Sequence, residues 1–137
     1  MTKLLLSIHV LAAIVAIGPV TVAASMFPAA ARRGDVPAMR TLHRICRVYA
    51  ALGVVVPVFG LATATSLGVL TDAWLLVSIA LTVAAAGLLA LLILPGQAGT
   101  LGGAPDRRLG MLTGVFNLLW ATVVVLMIVR PGSTTGV

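Results

Sequence analysis

Four long stretches of this chain carry almost no charge: residues 4–26, 45–70, 73–94 and 110–129. Each reaches the ~20 residues that an α-helix needs to cross a hydrocarbon layer of ~30 Å. In lipid, only helices and closed barrels satisfy every backbone polar group. A barrel needs shorter segments of alternating polarity, and none occurs here. The pattern predicts an all-α polytopic membrane protein: four transmembrane helices in one antiparallel bundle, a single domain over residues 1–137. Composition agrees, with 61% hydrophobic and 9% charged residues, where a soluble domain carries roughly 25% charged.

The net charge of +6 does not point to nucleic acid, because the basic residues are confined to the connectors. Arg32, Arg33, Arg40 and Arg44 lie between the first two stretches, with Arg47 just inside the second. Arg107 and Arg108 lie between the third and fourth. The opposite side holds only Lys3, Arg130 and the short Thr71-Asp72 turn. By the positive-inside rule, both termini lie outside the cytoplasm and loops 27–44 and 95–109 lie within it. The expected location is the bacterial inner (plasma) membrane. The first apolar run follows a charged start but has the length of a full span, so it reads as a helix and not as a cleaved signal. Cys46 stands alone, which excludes an internal disulfide.

Local signals refine the helices. Asp35 suits an N-cap and Pro37 a first helical turn. A helix running from there to Leu70 would be ~50 Å long, so it either projects into the cytoplasm or breaks at Pro57. Pro19 and Pro57 are expected to kink their helices. The connector "GQAGTLGGAPDRRLG" reads as an irregular loop, with Asp106 capping the fourth helix. Helices in lipid associate through small residues and interhelical hydrogen bonds. Candidate packing ridges are Gly60, Ala64 and Gly68; Ser78, Thr82, Ala86 and Ala90; Gly110 and Gly114; and Thr113, Asn117 and Ala121. Ala12 and Ala16 serve the first helix.

Few side chains could carry chemistry. His9 sits within the first span, where an ionisable group is costly and therefore a functional candidate. One reading is a neutral imidazole bonded to a nearby hydroxyl or carbonyl, such as Ser7 or a residue of the fourth helix. The other is an axial haem ligand or proton-transfer group. Arg40, His43, Arg44 and Arg47 share one helical face at i, i+3, i+4 and i+7. That face suits anionic lipid headgroups, each cation contributing about 1 kcal/mol, or else an acidic partner or porphyrin propionates. About 17 residues separate His9 from the far end of its helix, or ~25 Å, so His9 and His43 cannot share one haem. Asn117 suits an interhelical hydrogen bond. No Asp or Glu lies within a span, and there is no phosphate-binding loop, metal-ligand set or Ser-His-Asp constellation. A non-enzymatic protein is the expectation.

The stretches "LLSIHVLAAIVAIGP", "RTLHRICRVYAALGVVVPVFGLATA" and the tryptophan-led "AWLLVSIALTVAAAGLLALLILPGQ" resemble a family of small integral membrane proteins without an assigned activity. More distantly, "HVLAAI" and the arginine-flanked second helix are similar to the copper-resistance D proteins and the HemJ-type protoporphyrinogen oxidases. The latter resemblance implies a first-helix histidine associated with haem, at the position of His9. That family also relies on a third-helix lysine, which this chain lacks, so the resemblance extends to haem and not to porphyrinogen oxidation.

Three functional expectations result. The first is an accessory or assembly subunit of a larger inner-membrane complex, or a homo-oligomer, in contact with membrane lipid. The second is a haem- or porphyrin-binding protein using His9, with a redox role. The third and weakest is a small-molecule or lipid transporter.

Overall fold

A computed structural model describes residues 2–131 of the chain. They form four helices, each long and apolar enough to cross a membrane: α1 (Thr2–Arg33), α2 (Val36–Leu67), α3 (Ala73–Leu101) and α4 (Leu109–Val129). Successive helices run antiparallel. Each helix packs on its neighbours in sequence, and α4 closes back on α1.

The helices run beyond the expected spans. α1 continues past residue 26 to Arg33, and α2 begins at Val36, so the 27–44 connector is helical except at its turn. Likewise α3 carries on through Pro95 and Gly96 to Leu101. Only 102–108 remains irregular in the expected 95–109 loop. At 32 residues, α1 and α2 are each roughly 48 Å long.

Gly34 and Asp35 alone join α1 to α2. Gly34 adopts φ +67°, a conformation that favours glycine. It lets its own N–H reach the Ala31 carbonyl and that of Asp35 reach the Ala30 carbonyl, both at 3.1 Å. This closes the last turn of α1. Asp35 then caps α2, its Oδ1 accepting from Ala38 N–H at 3.2 Å, as expected. Gly68 (φ +73°) repeats the closure at the end of α2. Gly68 therefore ends a helix and forms no packing ridge. A Cβ there would meet nothing within 4 Å.

Three prolines mark three departures from regular α-helix, each centred four residues earlier. A proline ring crowds the carbonyl at i−4 and leaves it without its usual N–H donor. Pro19 addresses Val15, the middle of a π turn at Ala13–Ile17. Pro95 addresses Leu91, the middle of a second π turn at Leu89–Ile93. Pro57 addresses Gly53, where α2 is interrupted and Val56 N–H bonds the Gly53 carbonyl at 3.1 Å instead. The break expected at Pro57 thus falls one turn before it.

The π turn in α3 also explains its buried face. Ala85, Leu89, Ile93 and Gln97 are all buried, at a four-residue spacing that drifts ~40° per step in a regular α-helix. The wider turn absorbs the excess and keeps them in line. Ahead of it the drift is felt: Ser78 is buried, whereas Ala86, on the same expected ridge, is exposed, as is Ala90 within the turn.

The central core joins all four helices: Val20, Ala23 and Ala24, then Cys46, then Ala85, Leu89 and Ile93, then Leu112 and Phe116. Alanines at the contacts let the helix backbones approach closely. Phe27, Ala30, Met39 and Leu109 fill the end where α1 turns into α2. Ala64, Val69, Trp74 and Leu75 fill the other. The large apolar side chains left exposed, from Leu4 to Val129, form the surface that lipid would cover.

Candidate functional site

His9 is 9% exposed and faces α2. The Val56 carbonyl lies 2.8 Å from its Nδ1. A carbonyl only accepts, so Nδ1 carries the proton and donates. In the neutral ring this leaves the lone pair on Nε2. The imidazole fills the space that Gly60 leaves open: a Cβ at Gly60 would stand 2.8 Å from Cε1, 3.1 Å from Nδ1 and 3.5 Å from Nε2. Gly60 is thus a packing residue, as expected, and its counterpart is an imidazole. Ser7, an expected partner of His9, instead donates to the Lys3 carbonyl at 2.7 Å.

A second polar cluster joins α2 to α3. His43 Nδ1 donates to Gln97 Oε1 at 2.9 Å, and Gln97 Nε2 donates to Cys46 Sγ at 3.6 Å. Gln97 is 1% exposed and Cys46 fully buried. His43 therefore turns away from the cationic face on which its spacing placed it. Arg40, Arg44 and Arg47 remain exposed there. Sequence reasoning missed Gln97, since its neighbours Pro95, Gly96 and Gly99 read as loop. Its signal is the four-residue alignment with Ala85, Leu89 and Ile93.

Between α1 and α4, Asn117 Nδ2 donates to Ser25 Oγ at 3.0 Å, the interhelical bond expected of Asn117. Three oxygens along this seam are buried without a hydrogen-bond partner: Thr21 Oγ1, Thr113 Oγ1 and Asn117 Oδ1. Beside it, Gly110 and Gly114 lie on the outer surface, and a Cβ on either would meet nothing within 4 Å. Their ridge is unused within the chain. On α3, Ser78 and Thr82 cap nothing across helices either: their hydroxyls donate to Trp74 and Ser78 carbonyls of their own helix.

At the end of the bundle that carries Arg32, Arg33, Arg40, Arg44, Arg107 and Arg108, the 102–108 loop is tied to α3. Ala104 N–H bonds the Gly99 carbonyl at 2.8 Å and Asp106 N–H bonds Thr100 Oγ1 at 3.2 Å. The N-cap position of α4 is Arg108 and carries no side-chain cap bond. Asp106, the expected cap, accepts from the Arg108 N–H at 2.9 Å in the turn before the helix, and its carboxylate also meets Arg108 Nε at 3.3 Å. Hydrogen bonds from the Arg108 side chain, and then from its backbone, hold the Asp106 carboxyl below the usual carboxylate range. At the opposite end Asp72 accepts from Trp74 Nε1 at 3.1 Å, and the Arg130 guanidinium stands 5.5 Å from the Trp74 ring centre.

Among the described residues, no three His, Cys, Asp or Glu side chains converge to hold a metal. Comparison of the chain with protein-family models, curated proteins and solved structures gave no match.

Proposed function

We propose that the protein is a non-catalytic helical subunit of the bacterial inner membrane that assembles with other transmembrane helices, either of a larger complex or of its own kind. The observation that carries this reading is the outer face shared by α1 and α4. There an exposed Ser25 bonds Asn117 beside the open Gly110-Gly114 ridge. A polar pair is unfavourable against lipid, and a small-residue ridge allows another helix to approach closely. The arginine distribution supports an orientation with both termini outside the cytoplasm.

Mild-detergent extraction followed by native electrophoresis tests the reading. The full chain should migrate in an assembly larger than one copy, and Gly114→Leu should release it. A wild-type chain that migrates as a single copy in every mild detergent would sink the proposal. Reporter fusions at the two termini should both report a non-cytoplasmic location.

One feature favours a second reading, haem binding at His9. The Nδ1–H bond to Val56 fixes the ring tautomer with Nε2 unprotonated, the arrangement that metal-bound histidines adopt. Oxidised and dithionite-reduced absorption spectra decide it. A Soret band lost in His9→Ala supports ligation, and a colourless preparation made with haem present rejects it.

A further inference from the structure

At the arginine-rich end, a cleft of about 380 Å³ opens between the last turns of α1 and α3, the 102–108 loop and the first turn of α4. Its walls are apolar, from Pro28, Ala31, Pro105 and Leu109, and two cations, Arg32 and Arg107, stand over it. They come from different elements and are far apart in sequence. Asp106 also lines the cleft, but its charge is balanced by Arg108 through two side-chain contacts. Among the described residues no carboxylate pairs with Arg32 or Arg107, and the Arg108–Asp106 ion pair leaves both out. Two uncompensated positive charges therefore share one cavity with an apolar floor.

That combination selects for a ligand that is anionic at one end and hydrocarbon at the other. The cleft also sits where such a ligand is abundant. α1 is longer than the ~30 Å hydrocarbon layer by about 18 Å, which carries Arg32 to headgroup level if α1 spans. The cleft is held in shape as well. The bonds from Ala104 to Gly99 and from Asp106 to Thr100 fix the loop that bears Arg107. Little chain entropy is then lost on binding. We propose that this cleft is a specific binding site for the phosphate headgroup of an anionic phospholipid, with Arg32 and Arg107 as its ligands and the apolar wall against the glycerol and upper acyl chain. The site is separate from the Arg40–Arg44–Arg47 face and holds for either orientation of the bundle, resting only on the helices spanning a membrane.

The full chain in nanodiscs of equal phosphatidylglycerol and phosphatidylcholine provides the test, with retained lipid counted by native mass spectrometry. Wild type should retain phosphatidylglycerol preferentially. The Arg32→Gln/Arg107→Gln variant should lose about thirtyfold in that preference, as expected for two near-surface cations. Arg40→Gln/Arg44→Gln, with the same charge change, should lose little. Gly110→Leu keeps every charge but projects into the cleft, and should also lower retention; Gly114→Leu should not, whatever it does to assembly. Equal losses in both double-arginine variants would overturn the site, reducing it to general surface charge. Displacement of the lipid by millimolar inorganic phosphate would overturn the lipid assignment in favour of a free anion.

Discussion

The contact between α1 and α2 turns on Gly60. Alanine normally improves a helix interior over glycine by about 1 kcal/mol, yet here its methyl would stand 2.8 Å from His9 Cε1. Gly60→Ala should instead destabilise by about 1–3 kcal/mol, the usual cost of overpacking. In a His9→Ala background the same change should be neutral or favourable. Reversible unfolding in mixed micelles, arranged as a double-mutant cycle, would measure that coupling, and additive effects would refute the contact. Gln97→Leu should cost about 1–3 kcal/mol, because it leaves the His43 donor without its acceptor. Cys46, fully buried, should react with maleimide only after denaturation in wild type. His9 was legible in the sequence as an anomaly, but its partner was not. A backbone carbonyl has no residue code, and the opposing glycine resembles any other small ridge residue.

At the scale of the elements, helix number and order were legible because hydropathy fixes which segments enter lipid. Helix ends were less so. Past residues 26 and 94, hydropathy falls while helical hydrogen bonding continues, since Phe27 of α1 and Leu101 of α3 pack with Met39 of α2 and Leu109 of α4. The ridges of α3 were misread because a four-residue repeat drifts around a regular helix and holds its face only across a π turn. The turn glycines give a clear prediction. Gly34→Ala, at φ +67°, should destabilise by about 1 kcal/mol, measurable in the same micelle assay, whereas Gly114→Ala should not. The start of α4 should be sensitive to acid. Asp106 titrates below the usual carboxylate range, so its contribution is complete above the unfolded value of about 4 and is lost as pH falls through the lower folded value. The protection factor of the Arg108 amide, its exchange rate relative to the intrinsic rate at each pH, should therefore fall in acid, and Asp106→Asn should abolish that fall.

In the whole molecule, charge is segregated along the bundle and polar groups across it. Six arginines gather at one end, the His43–Gln97–Cys46 chain ties α2 to α3, and the Ser25–Asn117 pair ties α1 to α4. Segregation along the axis was readable from sequence, because connectors alternate sides. Segregation across it was not, since it depends on how each helix is rotated. Rotation is what the π turn at Ala13–Ile17 governs. Such a turn amounts to a one-residue insertion that the helix has absorbed without changing its course. Removing one residue from it would restore ordinary winding and leave the faces on either side in register, whereas removing one from the regular helix that follows would swing everything before the cut by ~100° relative to everything after. His9 would keep Gly60 in the first case and lose it in the second. The π turn is thus slack already spooled into α1, one residue the fold can give up without rotating either end.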